Sequence, residues 1–438
     1  MARDLDPCGG GASNDDKMRL RLGASKDGTA SVVVLDPASK TWVSLIDAAK
    51  GAPRGERWPY GDGPLRDVTA FLGLGREGRR VAAALAAAGA ASLGSATAPA
   101  TKLPIKVESF RDAGLYVRHM KQASKGFFPV ALKNGHAVQL ALGQLLAKAL
   151  RLPRTLGPCG APPFYVGNPR TVVADGATAR WPSYVGWMDY ELEVALINGA
   201  TLGDDPTEGD CEEAILDYGA FVLINDFSAR DVQADEIASV GFGFVKCKGF
   251  CTAMGSDVVT ADELWMPGDY GKLFCGEGLA CEVRVNGETW GEGAPGNTAE
   301  KRCCLLSDYV KHVALGEGLV PGEVLGLGTV PGCAGVEIGK WLRPGDEITV
   351  SCDVLGSVTT KLAVPRDGPN FKDLGRRSAD QPSRLASALT FLKLAVVAPP
   401  LVFVAMAYGA LASLFWAGPP TPPGLAPRAG EEATKKDL

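Results

Sequence analysis

The sequence predicts an α+β protein in which β-structure dominates. Between about residues 105 and 365, short segments rich in apolar and β-branched side chains alternate with Gly and Pro, which is typical of strands and turns. Ahead of them, residues 18–34 alternate apolar and polar side chains around Asp27-Gly28, which indicates a hairpin. The alanine-rich residues 68–91 have the pattern of a helix. We therefore expect a small N-terminal α+β module before a larger, strand-rich domain.

Changes in composition divide the 438 residues into seven segments. The predicted segments are residues 1–17 (disordered), 18–91 (N-terminal α+β module), 92–104 (linker), 105–365 (strand-rich domain), 366–393 (polar spacer), 394–418 (transmembrane helix) and 419–438 (charged tail). The boundaries follow stretches rich in Gly, Ser, Thr and Pro, which favour loops and linkers over packed structure.

An uncharged apolar stretch lies near the C-terminus. Residues 394–418 are long enough to span a hydrocarbon core, which needs about 20 residues. Pro399 and Pro400 would kink such a helix or form its first turn, and Trp416 would lie at the interface. We expect a single C-terminal transmembrane helix, with a buried helix as the alternative. Lys and Arg are more frequent before the stretch than after it, which predicts a membrane-anchored protein whose large domain is cytoplasmic. Without the anchor, the expected location is still cytoplasmic.

Charge and cysteine content exclude several other functions. The net charge is −5, and because no basic stripe accompanies the aromatic residues, nucleic-acid binding is not expected. The eleven cysteines include no Cys-x-x-Cys pair, and the three histidines have no zinc-ligand spacing. We expect reduced thiols rather than a disulfide scaffold.

Two carboxylates lie on one strand-like segment. Glu191 and Glu193 are two residues apart among Val, Leu and Ile, so they would project from the same face of a strand, roughly 6.5–7 Å apart. Asp226 follows a second apolar segment. Buried carboxylates repel one another and need a counter-charge. A hard divalent cation with oxygen ligands would supply it; Mg²⁺ is favoured, with Mn²⁺ and Ca²⁺ as alternatives.

Several motifs in one order resemble a known family. They are Met188–Val194, Asn225–Gln233, Lys248–Thr252, Val285–Glu288, Gly328–Gly332 and Leu342–Asp346. Together they resemble the fumarylacetoacetate hydrolase superfamily over about residues 105–365. The resemblance implies a β-sandwich roll catalytic domain of the fumarylacetoacetate hydrolase type, with the metal at its mouth, and a homodimer. Residues 134–152 depart from the family pattern and are expected to be an insertion.

The resemblance also implies roles for an early pair of polar residues. Asp112 would be a fourth metal ligand with Glu191, Glu193 and Asp226, and His119 would activate water. We expect Asp112 and His119 on one helix that begins at Ser109, two turns and about 10 Å apart. The alternatives are a capping box between Ser109 and Asp112 and a surface histidine.

Further site residues follow from the same resemblance. Lys248 and Gln233 would stabilise an oxyanion, Arg230 would complete the catalytic set, and Glu337 would orient His119. Lys246 competes with Lys248 for its role, and an ordinary salt bridge is the alternative for Arg230. The predicted substrate-binding residues are Tyr165, Gly328 and Thr329. Their alternatives are packing for the tyrosine and a plain Gly-rich loop for the other two. Ala113-Gly114 replaces an aromatic residue common in the family, which leaves the substrate open.

The expected activity is metal-dependent hydrolysis of a carbon–carbon bond in a β-diketo acid, such as an acylpyruvate or a fumarylacetoacetate-like substrate. Hydrolysis needs a base, and His119 favours it over decarboxylation or tautomerisation of a small keto acid such as oxaloacetate. A membrane-tethered, catalytically inactive scaffold is the alternative of a different class.

Overall fold

A ten-stranded sheet forms the centre of the structure and carries most of the predicted site residues. The computed structural model describes residues 18–26, 29–36, 40–52, 58–93, 102–133, 164–238, 243–265, 279–295 and 304–364. All of them belong to one compact unit, residues 1–375. The predicted segments 1–17, 134–152 and 366–438, and most of the linker 92–104, lie outside the described residues.

Seventeen strands are present in the described part of the chain. They are β1 Arg19–Ala24, β2 Ala30–Leu35, β3 Trp42–Ser44, β4 Ser109–Ala113, β5 Phe164–Gly167, β6 Val172–Ala174, β7 Thr178–Ala179, β8 Met188–Asp189, β9 Glu191–Ile197, β10 Ala220–Asp226, β11 Ser228–Ala229, β12 Thr252–Thr260, β13 Cys281–Val285, β14 Glu288–Gly293, β15 Glu323–Ala334, β16 Glu347–Cys352 and β17 Gly356–Leu362. The large sheet has the order β3-β2-β1-β12-β10-β9-β15-β4-β5, with β6 beside β12. A five-stranded sheet has the order β14-β13-β16-β17-β7, and β11 pairs with β8.

Helices cover the sheets and the site. They are α1 Leu45–Gly51, α2 Val68–Leu72, α3 Gly75–Leu93, α4 Val117–Lys133, α5 Glu208–Glu213, α6 Arg230–Ala238, α7 Ala261–Leu264, α8 Leu306–Ala314 and α9 Gly335–Ile338, with a π-helical turn at Ala214–Tyr218 and a 3₁₀ turn at Pro169–Thr171. The predicted hairpin in residues 18–34 is confirmed, because β1 pairs antiparallel with β2. Its strand β1 also pairs with β12, so the N-terminal strands extend the large sheet.

The central strands explain why the sequence is so apolar there. Every residue of β9 and β10 is buried, because neighbouring strands flank both edges and core side chains cover both faces. Strands of this kind have near-continuous runs of Val, Ile and Leu. A carboxylate placed on such a strand enters the interior, and both Glu193 and Asp226 do so.

The predicted fold class needs correction in two respects. The described part of the chain is mixed α+β rather than mostly β, because helices such as α3 and α4 are long. The predicted transmembrane helix is also not supported: no helix among the described residues is long and apolar enough to cross a membrane. Residues 394–418 themselves lie outside the described residues.

The helix predicted to begin at Ser109 is wrong. Ser109–Ala113 forms strand β4 between β15 and β5, and the helix α4 begins at Val117. The polar groups Ser109 and Arg111 alternate with the buried Phe110 and Asp112, which is the period of a strand. The Ser109 hydroxyl donates to Glu323 across the sheet, so it does not cap a helix.

A buried arginine joins helix α3 to the rest of the unit. The Arg79 side chain is fully buried; its guanidinium donates to Asp262 (3.2 Å) and to the carbonyl oxygens of Asp217 and Leu216. Removing one member of a buried ion pair leaves an uncompensated charge, which costs about 3–5 kcal/mol.

Arg79→Ala should therefore lower the free energy of unfolding by about 3–5 kcal/mol, because Asp262 stays buried without its partner. Arg80→Ala, on the same helix but with an exposed side chain, should change it by less than about 0.5 kcal/mol. Denaturant unfolding measures both. Equal losses in the two variants would contradict this account of Arg79.

Candidate active site

Three carboxylates converge in the interior near the ends of three strands. Asp112 on β4, Glu193 on β9 and Asp226 on β10 each offer an oxygen, and these oxygens lie within 4.8 Å of one another. The strand register brings them together. Gly326 of β15 lies opposite Asp112, and Thr329 of the same strand lies opposite Glu193. Strand β15 therefore connects two acids that are 81 positions apart in sequence.

The donor set of this cluster fits a hard cation. Among the described residues, no donor reaches Oδ1 of Asp112 or Oε2 of Glu193, although both atoms are buried. Buried polar atoms are normally hydrogen-bonded, and an ion is one explanation for exceptions. Oxygen-only ligands favour Mg²⁺, Mn²⁺ or Ca²⁺ over zinc. These residues therefore could hold a divalent metal.

Mutual repulsion and burial change the acidity of the cluster. Burial and, after it, the negative charge of Asp226 raise the pKa of Asp112 to about 7 despite the opposing charge of Lys248. Burial and the negative charge of Asp112 raise the pKa of Glu193 well above its usual range. Burial also raises the pKa of Asp226, although Lys248 opposes it. Without a cation, the cluster therefore favours bound protons.

Glu191, the other predicted ligand on β9, contacts cations of the protein instead. Its carboxylate accepts hydrogen bonds from Arg230, Lys248 and Ser228. Burial opposes ionisation, but Arg230 and Lys248 outweigh it and hold the pKa of Glu191 well below its usual range. The structure therefore does not bring Glu191 into the three-carboxylate cluster, and its role as a fourth ligand stays a prediction.

The ammonium group of Lys248 bridges Glu191 and Asp226. Burial opposes its charge, yet the two carboxylates raise the pKa of Lys248 above its usual value. Lys246, the competing candidate, is exposed, and its ammonium lies over the Tyr184 ring. The position of the two side chains thus favours Lys248 as the lysine of the site.

Asp226 is held on both of its oxygens. The Tyr165 hydroxyl donates to Oδ2 (2.7 Å), and the Thr252 hydroxyl donates to Oδ1 (3.0 Å). Tyr165, predicted to contact substrate, thus lies against the acidic cluster, and the Lys248 ammonium is 5.6 Å from its ring centroid.

An imidazole and a carboxylate form a pair beside this charge network. Glu337 on α9 places Oε1 at 3.0 Å from Nδ1 of His119 on α4, and its Oε2 accepts from the backbone N–H of Gly332. The other ring nitrogen, Nε2, lies 3.6 Å from a Glu191 oxygen. Although the predicted shared helix is wrong, His119 still reaches the network that contains the predicted ligands.

The remaining predicted residues have defined partners. Arg230 donates to Oε1 of Gln233 (2.9 Å), so the amide nitrogen of Gln233 faces away from the guanidinium. The Thr329 hydroxyl donates to Glu193 (3.1 Å). Gly328 has φ +88°, and a Cβ there would crowd the backbone of residues 113–115. Substrate binding by Gly328 and Thr329 stays a prediction.

Sequence reasoning missed four residues that support the site. Thr252 and Ser228 hold Asp226 and Glu191, and Asp189 pairs with Arg230. At Gly326 a Cβ would overlap the Asp112 carboxylate, so glycine makes room for that acid. Asp189 carried a usable signal, because it is a third acid at the same two-residue spacing as Glu191 and Glu193. The role of Gly326 depends on pairing with β4, which the sequence does not reveal.

A surface groove of about 620 Å³ lies elsewhere and shares no residue with this site. It is lined by residues 199–203 together with Asp205, Asp210 and Tyr218. The acidic cluster, rather than this groove, is the candidate active site, because buried charged groups with perturbed pKa values are typical of functional sites.

Comparison with known proteins identifies the family. Residues 135–363, more than half of the chain, match the family described as fumarylacetoacetate (FAA) hydrolase, C-terminal. The chain belongs to this family.

The chain is also similar to other proteins in sequence and in structure. An uncharacterized protein of Staphylococcus aureus is 32% identical over 178 residues, which are 40% of this chain and 52% of that protein. The chain thus spans about half the length of the curated relatives that it matches. A fumarylacetoacetate hydrolase structure from Exiguobacterium antarcticum aligns with a TM-score of 0.51 and 18% identity, covering 79% of this chain and 99% of that one. At this identity, the likeness shows the fold.

Asp112→Asn should stabilise the metal-free protein at pH 8. The folded-state pKa of Asp112 is about 7, above the value of 3.8 expected when unfolded, so the carboxylate destabilises the fold increasingly from about pH 4 and fully above pH 7. We expect the variant to gain at least about 1 kcal/mol at pH 8 and less at pH 5.

Urea unfolding of chelator-treated protein at the two pH values measures this difference. The exposed Asp205→Asn is the matched control and should change neither value. If the free energies of unfolding of Asp112→Asn and the parent change identically with pH, ionisation of Asp112 does not destabilise the folded protein.

Proposed function

We propose that this protein is a metal-dependent hydrolase that cleaves a carbon–carbon bond in a β-diketo acid, of the acylpyruvate or fumarylacetoacetate-like class. The observation that supports it most is the juxtaposition of the carboxylates Asp112, Glu193 and Asp226 with a histidine held by Glu337. A metal cluster alone serves many reactions, whereas a metal cluster beside an oriented base suits attack by water.

The cation would be held by Asp112, Glu193 and Asp226. When bound, it supplies a Lewis acid that polarises a carbonyl group of the substrate. Thr329 and Thr252 orient two of these carboxylates through their hydroxyl groups. Such outer contacts commonly change metal affinity or activity by about 10–100-fold when removed.

His119 is the proposed general base. If Nδ1–H donates to Glu337, the Nε2 atom carries the lone pair that accepts a proton from water. Glu337 fixes the orientation of the ring, and the N–H of Gly332 fixes Glu337 in turn. This geometry favours the hydrolase over a decarboxylase, because loss of CO₂ from a keto acid requires no activated water.

Lys248 and Gln233 are the proposed donors to the oxyanion that forms when water adds to the carbonyl group. Lys248 is buried and keeps its proton, and Gln233 presents its amide N–H₂ because Arg230 occupies its oxygen. Preorganised donors of this kind are each worth about 10²–10³ in rate. The same region is proposed to include Arg230, Tyr165, Gly328 and Thr329. The homodimer stays a prediction.

His119→Ala should lower the rate of acylpyruvate hydrolysis by at least about 10²-fold, because a positioned base usually contributes at least that much. Product formation from acylpyruvates, fumarylacetoacetate and oxaloacetate, each with and without added Mg²⁺ or Mn²⁺, measures it. His312→Ala, a partly exposed histidine on α8, is the control and should retain the activity. A dominant oxaloacetate decarboxylase activity that survives His119→Ala would overturn the hydrolase assignment in favour of the decarboxylase.

Cation affinity should increase from pH 6 to pH 8. Asp112 holds a proton below its pKa of about 7, and a carboxylate must lose that proton to bind a metal. Calorimetry with Mn²⁺ in two buffers of different ionisation enthalpy measures both the affinity and the protons released. Glu193→Gln should abolish this binding, and Asp205→Asn should not. A protein that binds no hard cation would favour the scaffold alternative.

A further inference from the structure

Asp189 is a fully buried acid that the proposed reaction does not use directly. One of its oxygens, Oδ2, accepts from Nε (2.9 Å) and Nη2 (2.7 Å) of Arg230 and from the backbone N–H of Val336 (3.0 Å). The other, Oδ1, accepts from the N–H of Tyr190 (2.9 Å). Asp189 thus joins an arginine of the charge network to the short helix α9.

The backbone of α9 makes two close contacts, one with Asp189 and one with α4. At Gly335, a Cβ would overlap the Asp189 carboxylate, so glycine allows the acid to approach the helix. On the other side, the carbonyl oxygen of Val336 lies against Gly126 of α4, where a Cβ would overlap it. The backbone of Val336, through its N–H and its carbonyl oxygen, therefore connects Asp189 to the helix that carries His119.

These contacts form a closed ring. Arg230 joins Asp189 to Glu191, and Nε2 of His119 lies 3.6 Å from Glu191. Glu337, which follows Val336 in the chain, contacts Nδ1 of the same histidine. Nδ1 of the imidazole is thus positioned by a residue of α9, the helix that Asp189 contacts, and Nε2 lies near the carboxylate that Arg230 holds.

We propose that Asp189 is a positioning residue that fixes the His119–Glu337 pair relative to the carboxylate cluster. The inference rests on the proposed function, in which His119 is the base. Asp189 does not belong to the cluster formed by Asp112, Glu193 and Asp226. Its loss should therefore impair the use of the base and leave the binding of cation and substrate nearly unchanged.

The first test variant is Asp189→Asn. Its amide has one acceptor oxygen and no negative charge. If that oxygen faces Arg230 and Val336, the N–H₂ group meets the N–H of Tyr190, and in the flipped orientation both contacts are lost. In either orientation the ion pair with Arg230 is removed. We expect kcat for acylpyruvate hydrolysis to fall about 10–100-fold. KM and Mn²⁺ affinity should stay within about threefold of the parent. Parallel losses of kcat and Mn²⁺ affinity would overturn the proposal, because they indicate general damage to the site.

A second readout is independent of activity. Because Nδ1–H of His119 donates to a carboxylate, its proton should give a downfield imidazole NMR signal. That signal should be absent in His119→Ala. Asp189→Asn should shift or broaden that signal. An unchanged signal together with an unchanged kcat would overturn the proposal. If the parent shows no cation-dependent hydrolysis, the proposed function fails, and the NMR signal still decides whether Asp189 positions the histidine.

Two further variants separate position from charge balance. Asp189→Glu keeps the buried negative charge but moves the carboxylate by one methylene. If Asp189 positions the base, this variant stays slow with a displaced imidazole signal. Full recovery would mean that charge balance alone matters. Asp262→Asn removes another buried acid that pairs with an arginine, Arg79, and should lower stability without moving kcat or the signal.

Discussion

Repulsion between buried carboxylates is the constraint on which the site depends. Asp112, Glu193 and Asp226 are brought together by strand pairing. Lys248 offsets part of their charge, and Arg230 offsets that of the neighbouring Glu191. These two cations contact Glu191 or Asp226, whereas Asp112 and Glu193 have buried oxygens that no described donor reaches. The uncompensated side of the cluster is therefore where an external cation would lower the free energy most.

The same interaction explains why two acids on one strand differ. Glu191 and Glu193 are both buried on β9, yet the pKa of Glu191 is lowered and that of Glu193 is raised. Burial opposes ionisation of both side chains, so the difference comes from their neighbours. Arg230 and Lys248 contact Glu191, whereas Glu193 faces other carboxylates. Environments that make the pKa values of two neighbouring acids differ in this way are typical of functional sites.

The position of the proposed base, His119, depends on packing that lies outside the carboxylate cluster. His119 belongs to α4 and Glu337 to α9, and these helices meet where Gly126 lies against Val336. A glycine at this contact lets two backbones approach within van der Waals distance, which a side chain would prevent. The reach of the imidazole to the network is thus a property of helix packing, whereas the position of the acids is a property of strand register.

The sequence by itself indicated which residues are candidates for the site. The apolar residues around Glu191 and Glu193 implied burial, and the two-residue spacing implied one shared face, because a strand alternates its side chains with a period of two. The family motifs pointed to His119, Lys248 and Glu337, and the apolar run before Asp226 indicated its strand. The prediction was wrong for residues 109–113, where the pattern of a helix start competed with the alternation of a strand. Pairing with β15 and β5, which decides for the strand, cannot be read from the local sequence.

Only the tertiary structure decided which of these residues meet. Non-local pairing joins β4 to β15 and so sets Asp112 beside Glu193, whereas Glu191 on the same strand as Glu193 has Arg230 and Lys248 as partners. Asp189 and Gly326 acquire their roles through contacts with residues 41 to 214 positions away in the chain. Local patterns fix which side of an element a side chain occupies, whereas its partner depends on pairing and packing between distant segments, and no local pattern specifies those.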